Sequence, residues 1–432
     1  MATHQNSKKR KRGVVLHQNP PATSNGLDTS KPTAVFKPSA GGRQWTLSIA
    51  VPGSIVASVS TPDLKARLAS QIARAASVFC VDEIVVFDDG QSHANTAPSS
   101  YEDPRRAYLR QKDEEEGYEG YTDPDHYLFH VLSYMECPPY LRKELFGFHK
   151  NLEKAGMLHS LDLPHHLKAH EWCPYREGVT IGPASPHSYD GGGGGGGEDD
   201  ATASIATKKQ KRKRTADGAA AAASATAVHT GLPNPVTVPI SIPPTTRLTL
   251  RFDRSDPPAS PSEPLTATPV DPAAPRTQGG YYWGYSVRQA ASLSAVYTDC
   301  PFSGGYDVSI GTSERGVPLS SILPAPGRDV VDADADADTD AEAGTAKLPR
   351  TFNHLILFFG GLAGLEAAVE ADAALRERGI GKESAGEAFD YWVNLVPGQG
   401  SRTIRAEEAV WCGLMGVAGY VQGQGRAAEV EG

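Results

Sequence analysis

The sequence predicts an α/β protein that is built on a parallel β-sheet. Two stretches, Phe352–Glu366 and Phe389–Val410, share one plan: a continuous apolar run ends in a glycine-rich loop and then enters an alanine-rich, amphipathic segment. Strands that are apolar on both faces and alternate with helices are typical of parallel sheets covered on both sides. In sheets of this kind, ligands bind at the carboxyl ends of the strands, where loop amides are free.

The first part of the predicted core is a β-α-β unit. Trp45–Val51 and Glu83–Asp88 are apolar runs typical of buried strands, and Pro62–Ser77 between them has helical periodicity. Thr61 is the predicted N-cap of this helix, because proline follows it at the first helical position. The unit is consistent with two parallel strands joined by a right-handed crossover.

A polar stretch follows, and Gln91–Tyr121 is predicted to be a loop. Asp125–Met135 is predicted to be a helix, and Tyr140–Phe146 begins another helical stretch. His126 and His130 lie four residues apart, which is the spacing of two metal ligands on one helix. No acidic third ligand stands where zinc proteases place one, so the sequence predicts no metal site.

Residues 172–279 are predicted to form a small β domain. Trp172–Gly182, Val236–Ile242 and Arg247–Phe252 carry strand patterns. Residues 184–232 contain seven consecutive glycines, a basic run and an alanine tract. This segment lacks any periodicity and is predicted to be disordered.

The chain is predicted to return to the core with a strand over Gly280–Ser286 and a helix over Arg288–Val296. Tyr306–Ile310 is a predicted strand that ends in the turn Gly311–Gly316. Residues 317–347 hold an Asp-Ala repeat whose charge cannot be packed, and they are predicted to be disordered.

The last predicted element is a helix from about Arg405 to Val417, with residues 421–432 as a tail. Its apolar face would serve either as a subunit interface or as part of the protein's own core. This face consists of Val410, Trp411, Leu414, Met415 and Tyr420.

The composition fits a globular protein interrupted by unstructured tracts. The 432 residues suffice for a substantial core and a second domain, but 44 glycines and 33 prolines are many. No apolar run approaches the roughly 20 residues that span a membrane. No apolar signal region opens the chain, so secretion is not expected. The scattered cysteines predict neither a zinc site nor a disulfide framework; they are Cys80, Cys137, Cys173, Cys300 and Cys412.

Charge is unevenly distributed along the chain. The net charge is −9, yet Asp332–Glu342 is acidic while Lys8–Arg12 and Lys208–Arg214 are basic clusters. Basic runs of this kind are typical of nuclear import signals and predict a location in the nucleus, with the nucleolus as one option. They would also suit a solvated tail, or attract phosphates without specificity. An RNA-binding face is a local patch, so the negative net charge does not exclude RNA.

Several motifs resemble the SPOUT superfamily of S-adenosylmethionine-dependent RNA methyltransferases. The resemblance is carried by Gly-Gly-Leu-Ala-Gly-Leu-Glu (360–366) and by Pro-Gly-Gln-Gly-Ser-Arg-Thr-Ile-Arg-Ala-Glu-Glu-Ala (397–409). Trp45–Val56, Pro164–His166, Tyr281–Phe302 and Tyr306–Gly316 agree with it. The group resembled is eukaryotic and archaeal and has a domain inserted in the SPOUT core. The resemblance covers most of residues 43–182 and 278–420.

The resemblance implies an architecture that periodicity alone does not. A SPOUT core would be split into residues 43–171 and 280–420, the second part forming a C-terminal trefoil knot. Residues 172–279 would be an inserted small β-barrel, similar to an OB-fold. Residues 1–42 would be a disordered basic tail. A homodimer formed through the knot and the C-terminal helix would follow from the family.

The resemblance also implies that the chain binds S-adenosyl-L-methionine in the knot. Glycine loops let backbone amides and carbonyls approach the adenine and the ribose without hindrance from a Cβ atom. The glycine spacing is not that of a dinucleotide or P-loop motif. The expected cofactor-binding residues are Thr312, Arg315, Gly360, Gly361, Gly364, Asn394, Leu395, Pro397, Gln399 and Ile404.

Four polar residues are candidates for catalysis: Arg288, Glu314, Glu366 and Arg402. Arginine suits RNA phosphates or base edges and cannot act as a base at its ordinary pKa. Glu314 or Glu366 would accept a proton, unless Glu366 merely favours a helix start. Arg402 would alternatively form a structural bridge with Glu407 or Glu408.

The segment from Gly400 to Ala409 resembles the loop of SPOUT enzymes that methylate uridine N3 in ribosomal RNA. The expected function is therefore an RNA methyltransferase that acts on a base of ribosomal or other nuclear RNA. The alternative is a non-catalytic RNA-binding or scaffold protein that retains the fold. A Rossmann-type dehydrogenase is not expected, because Val51-Pro52-Gly53-Ser54 after the first strand is not a glycine fingerprint.

Overall fold

The computed structural model describes residues 42–91, 104–184, 225–260, 263–324 and 346–430. The chain divides into two compact units. Within the described ranges the smaller unit consists of Pro138–Leu145 and Leu167–Pro272, and the larger unit holds the other residues. The predicted basic tail, apart from Gly42, lies outside the described residues, as do both basic clusters and the Asp-Ala repeat.

The strands of the described ranges are β1 Thr46–Pro52, β2 Glu83–Phe87, β3 Tyr175–Pro183, β4 Thr226–His229, β5 Val236–Val238, β6 Arg247–Arg251, β7 Thr268–Val270, β8 Ser286–Ala290, β9 Val308–Pro318, β10 His354–Phe358 and β11 Tyr391–Asn394. The helices there are α1 Pro62–Val78, α2 Pro104–Glu115, α3 Pro124–Glu136, α4 Arg142–Leu145, α5 Ala274–Thr277, α6 Leu293–Thr298, α7 Leu319–Ile322, α8 Gly364–Ala371, α9 Ala373–Glu377 and α10 Ala406–Val430. Short 3-10 turns cover Gly53–Ser58, Lys150–Leu152, Ala155–Met157 and Lys382–Ala388.

The larger unit is built on a six-stranded sheet in the order β11-β9-β10-β1-β2-β8. Every neighbouring pair is parallel, so the predicted α/β class with a parallel sheet is confirmed. β1 lies between β10 and β2, with Thr46 opposite His354. The helix between β1 and β2 begins as predicted, because the backbone N–H of Leu64 donates to the hydroxyl of Thr61 at 3.3 Å.

Side chains of this sheet alternate between two buried faces, as the twofold period of a strand requires. On β1, Leu47 and Ile49 point to the face covered by α1, α3 and α10, and Ala50 points to the face covered by α6 and α8. Ile49 is fully buried, and each apolar side chain of this kind contributes about 1.5–3 kcal/mol. Covered on both faces, the sheet exposes its loops at the strand ends for ligands.

The smaller unit contains an antiparallel sheet in the order β5-β4-β3-β6-β7. Its two edges meet beside β7: the backbone N–H of Thr237 donates to the carbonyl of Leu265 at 2.9 Å, and the N–H of Ala267 donates to the carbonyl of Thr237 at 3.1 Å. Val228, Val236 and Leu250 are fully buried inside this sheet. β4 lies within the segment predicted to be disordered (184–232), so that prediction is wrong for residues 226–229, whose inward positions alternate with half-buried ones.

A helix replaces part of the loop predicted for Gln91–Tyr121. α2 occupies Pro104–Glu115 and carries ion pairs from Arg110 to Glu114 (3.4 Å) and from Lys112 to Glu116 (3.6 Å). Such pairs four residues apart stabilise a helix that has little apolar periodicity, which explains why the pattern did not reveal it.

The elements predicted for residues 280–296 are wrong except for the last turn of the predicted helix, residues 293–296. Gly280 and Gly284 adopt φ of +67° and +83°, which interrupts the predicted strand over Gly280–Ser286. The predicted helix over Arg288–Val296 is instead β8, which pairs with the free edge of β2, followed by α6 with Ser292 as its N-cap. Pairing with a distant strand overrides the helix propensity of this alanine-containing stretch.

Order extends further than predicted at two places near the C-terminus. β9 continues through Pro318 and α7 follows it, so the prediction of disorder from residue 317 is wrong for the first residues of that segment. α10 continues through the predicted tail to Val430. Tyr420 and Gln424 anchor it, donating to the carbonyls of Pro349 and Arg350 at 2.8 Å each.

The apolar residues of α10 mainly serve the protein's own core. Val410, Leu414 and Tyr420 are buried, and Trp411 packs edge-on against Phe79. Met415 is 67% exposed. Among the described helices, none is both long and apolar enough to cross a membrane.

Candidate active site

Three loops meet at one edge of the six-stranded sheet. β9, β10 and β11 are neighbours and run parallel, so the segments at their carboxyl ends share that edge. These segments contain residues 312–316, 359–364 and 395–405, which include every predicted cofactor-binding residue except Asn394, the last residue of β11. The topology therefore brings together loops that are up to 93 residues apart in the chain, from 312 to 405.

The first loop is a bulge near the carboxyl end of β9. Trp392 lies opposite Gly311, but the next residue, Val393, lies opposite Val317, so residues 312–316 project from the sheet edge. Gly316 closes the bulge, because a Cβ atom there would lie 2.4–2.5 Å from the backbone of Val393. A side chain at this position would push β9 away from β11.

Three hydrogen bonds connect this bulge to residues that flank the other two loops. The hydroxyl of Thr312 donates to the carbonyl of Phe358 at 2.8 Å, and the hydroxyl of Ser313 donates to Oε1 of Glu366 at 2.8 Å. On the other side, Nδ2 of Asn394 donates to the carbonyl of Glu314 at 2.9 Å. Thr312 and Asn394 thus hold the loops in register with each other.

The second loop connects β10 to α8 and depends on its glycines. A Cβ atom at Gly360 would lie 2.6 Å from backbone atoms of Gly364 and Leu365. Gly364 has φ of +78°, and its N–H donates to the carbonyl of Gly361 at 3.1 Å. Leu362 at the tip is 76% exposed. The backbone of this tight turn therefore lies open to a ligand.

The third loop follows β11 and is folded on itself. Oδ1 of Asn394 accepts from the N–H of Val396 at 3.0 Å, and the N–H of Gln399 donates to the carbonyl of Val396 at 3.2 Å. The side chain of Gln399 donates to the carbonyl of Ser401 at 3.0 Å. Leu395 is half-buried, while Pro397 is exposed and Ile404 is half-buried.

The two arginines of these loops reach into solvent. Arg315 and Arg402 are exposed, and neither guanidinium has a partner among the residues that the structure describes. The alternative bridge from Arg402 to the acidic pair is not formed, because Arg405 takes that place: Nη1 lies 3.8 Å from Glu407, and its N–H donates to Glu408 at 3.0 Å. Both arginines are thus available to an anionic ligand.

The two glutamates differ in environment. Glu366 lies in the first turn of α8, is 8% exposed and accepts from Ser313. The carboxylate of Glu314 is exposed on the bulge. Glu366 therefore links two loops, whereas Glu314 is directed to solvent and can meet a substrate.

Arg288 is not brought to this edge. Its Nε donates to Oε1 of Glu83 at 2.8 Å, and its Nη2 donates to the carbonyl of Val296 (2.7 Å) and to the hydroxyl of Tyr306 (3.0 Å). Glu83 is the first residue of β2 and Tyr306 precedes β9, so this cluster lies where the strands begin. Ser48 completes the cluster, donating to Glu83 at 2.8 Å. Arg288 therefore lies away from the three loops, and its catalytic role stays a prediction.

A buried pair that sequence reasoning missed lies beside the second loop. Ser54 follows β1, Asp89 follows β2, and the hydroxyl of Ser54 donates to Oδ2 of Asp89 at 2.6 Å. A Cβ atom at Gly361 would lie 2.8 Å from each of these oxygens. The sequence signal that could have revealed this pair is the acidic end of β2, because ligands bind at the carboxyl ends of parallel strands.

A group of histidines lies on and near α3. His126 donates to or accepts from Glu119 in a short hydrogen bond, and the rings of His130 and His149 meet edge-on with centroids 4.7 Å apart. Burial lowers the pKa of His130 to about 4. Across the described ranges, no group of three or more His, Cys, Asp or Glu side chains is arranged to hold a metal ion.

Comparison with known proteins supplies a family for this arrangement. Residues 46–417 match a family described as "Putative RNA methyltransferase". The chain is 35% identical over 374 residues to a human protein named 28S rRNA (uridine-N(3))-methyltransferase, covering 86% of this chain and 78% of that protein. A Drosophila melanogaster protein with the same name is 35% identical over 390 residues, covering 89% of this chain and 64% of the relative.

A parallel α/β sheet that presents three glycine-containing loops at its carboxyl edge has the arrangement in which such sheets bind ligands. The family match extends over most of the chain and includes all three loops. The chain belongs to this family of RNA methyltransferases, which confirms the predicted enzyme class.

Proposed function

We propose that the protein transfers a methyl group from S-adenosyl-L-methionine to N3 of a uridine in large-subunit ribosomal RNA. The observation that carries this proposal is the set of hydrogen bonds that joins the β9 bulge to residues flanking both other loops. The names of the human and Drosophila relatives supply the substrate and the atom. The segment Gly400–Ala409, whose sequence suggested uridine N3, begins in the third loop, where the side chain of Gln399 donates to the carbonyl of Ser401 at 3.0 Å.

The residues present fit S-adenosyl-L-methionine. The turns at Gly360 and Gly364 leave no room for side chains, so backbone amides and carbonyls line the loop and can bond to an adenine and a ribose. Buried carboxylates at Asp89 and Glu366 suit the positive charges of this molecule. When bound, it supplies a methyl group activated by the positive charge of its sulfur.

The chain's own residues divide the remaining work. Glu314, exposed on the bulge, accepts the proton that N3 of the uridine loses. Glu366 and Asn394 hold the bulge and thereby position that carboxylate. Arg315 and Arg402, which have no partner among the described residues, bind RNA phosphates.

Nucleoside analysis tests this proposal. The purified protein is incubated with deproteinised 28S rRNA and methyl-labelled S-adenosylmethionine, and the digested RNA is analysed by mass spectrometry. We expect labelled 3-methyluridine with the wild type and none with Gly361→Arg, whose side chain would collide with Ser54 and Asp89. Label on another nucleoside would refute the assignment of N3. RNA binding without cofactor binding or methyl transfer would favour the scaffold alternative.

The finer fold assignments form part of the same proposal. A SPOUT-type trefoil knot in the C-terminal part is supported by the position of β9 between two strands that follow it in the chain. An OB-like barrel is supported by the bonds of Thr237 that join the two edges of the antiparallel sheet. Tracing the chain in an experimental structure tests both; a chain that passes through no loop would refute the knot.

We also propose a nuclear homodimer. Met415, 67% exposed on α10, remains available for a contact through the knot and this helix. Light scattering after gel filtration of the wild type and Met415→Glu tests the dimer, which a single monomeric mass would refute.

The proposed location in the nucleus or nucleolus rests on the basic clusters Lys8–Arg12 and Lys208–Arg214. Imaging after neutralisation of both clusters tests it, and unchanged nuclear signal would contradict it.

A further inference from the structure

Asp89 is a buried carboxylate in contact with the glycine loop. It follows β2 and is 2% exposed, and its Oδ2 would lie 2.8 Å from a Cβ atom at Gly361. β10, β1 and β2 are consecutive neighbours in the sheet, so Gly361, Ser54 and Asp89 follow three adjacent strands at the same edge. Asp89 thus extends the candidate site from the three loops to the middle of the sheet.

The surroundings of Asp89 satisfy its hydrogen bonds but not its charge. Ser54 donates to Oδ2 at 2.6 Å, and the N–H of Gln91 donates to Oδ1 at 3.0 Å. No arginine, lysine or histidine of the described ranges pairs with it, and the neighbouring charge is another carboxylate, Asp88. Burial raises the pKa of the Asp89 carboxyl group. A buried charge without a counter-charge is costly, which a bound cation would offset.

We propose that the Asp89 carboxylate is the counter-charge for the positively charged sulfur of the methyl donor. This inference rests on the proposed function, because it requires S-adenosylmethionine in the glycine loop. Only a positively charged ligand group gains from the carboxylate. S-adenosylmethionine carries that charge on sulfur, whereas S-adenosylhomocysteine has a neutral sulfur. Asp89 therefore gives the protein a preference for the donor over the product.

The contact between Gly361 and the Ser54–Asp89 pair explains why this position lacks a side chain. A methyl group at residue 361 would meet both oxygens at 2.8 Å, which is well inside normal contact distance. It would displace the carboxylate from the loop. The absence of a Cβ atom thus lets the carboxylate lie against the backbone of the turn that is proposed to receive the donor.

A purely structural role for Asp89 would affect all ligands alike. The carboxylate of Asp89 also accepts a hydrogen bond from the N–H of Gln91, two residues later, which is the bond of an Asx turn. If this were its purpose, replacing Asp89 would change the fold of the turn. S-adenosylmethionine and S-adenosylhomocysteine would then lose affinity together, so the ratio of the two affinities distinguishes the roles.

Calorimetric titration of the full chain tests the inference with three ligands: S-adenosylmethionine, S-adenosylhomocysteine and sinefungin, in which a charged amine replaces the methylated sulfur. For Asp89→Asn we expect about tenfold weaker binding of the two charged ligands and less than about twofold change for S-adenosylhomocysteine. Asp88→Asn is the matched control, because it removes the same charge one residue away. We expect it to preserve the wild-type affinity ratios.

Each other result overturns the inference. Equal losses for all three ligands, or none, would show that Asp89 does not sense the sulfur charge. Wild-type protein that binds none of the ligands would refute the proposed function as well. A variant that binds the ligands with an unchanged affinity ratio would refute only the role of Asp89. If Asp89→Asn does not fold, Ser54→Ala replaces it, because it removes one donor to Oδ2. We then expect a selective loss of about threefold for the charged ligands, and an unchanged ratio would refute the inference.

Discussion

The cluster around Arg288 gives a prediction that decides between a catalytic and a structural role. Arg288→Met removes an ion pair in which the side chains of Arg288 and Glu83 are 18% and 1% exposed. The carboxylate of Glu83 would keep its bonds from Ser48 and Tyr306 but lose its counter-charge. Removing one partner of a buried pair costs about 3–5 kcal/mol. For a folded unit of about 150–250 residues, roughly the described size of the larger unit, such a loss lowers the melting temperature by roughly 6–20 °C.

The assay combines thermal unfolding with calorimetry. Arg288→Met is expected to melt earlier but to bind S-adenosylmethionine normally at a temperature where it is folded. The double variant Glu83→Gln/Arg288→Met is expected to recover part of the lost stability, since the uncompensated carboxylate is gone. An Arg288→Met protein that melts within about 1 °C of the wild type yet loses methyl transfer would refute the structural role.

Three further predictions follow from the same structure. Gly316→Ala should lower stability by about 1–3 kcal/mol and weaken donor binding, since its Cβ meets the backbone of Val393. Gly147→Ala should change neither, because a Cβ there has open space; melting curves and calorimetry compare the two variants. Burial raises the pKa of Asp89 above its usual 3.8, so the buried carboxylate destabilises the folded protein as pH rises through the folded-state pKa. The gain in melting temperature from Asp89→Asn should therefore grow from pH 4 to pH 7, and a gain that shrinks would contradict this. Burial lowers the pKa of Lys65 from 10.5 to about 7, so between these pH values the unfolded chain binds one more proton and stability rises with pH. The melting temperature of Lys65→Met should therefore rise less steeply from pH 7 to pH 9 than that of the wild type, and parallel curves would refute the shift.

Local features of the sequence predicted much of the fold. β1, β2, β10 and β11 follow from apolar runs, and α1 follows from its period and from Thr61 at its N-cap. The glycine loops were located because glycine at the end of an apolar run is itself a local pattern. These features depend on neighbours in the chain, which is why they are visible without a structure.

Features that depend on distant neighbours were not predictable. β8 has helix-like composition and becomes a strand because β2 offers it a free edge. The ion pair of Arg288 with Glu83, which holds Arg288 where the strands begin, was equally invisible in the sequence. Asp89 was missed because only the order of the strands in the sheet places it beside Gly361.

The pairing of β1 with β10 has a consequence for biosynthesis. Thr46 and His354, which face each other in this pair, are 308 residues apart. At 5–20 residues per second, about 15–60 s pass between the synthesis of the two strands. During that interval one long edge of β1 has no partner, which is the kind of exposed edge that chaperones protect. Completion of the sheet therefore waits until most of the chain has left the ribosome.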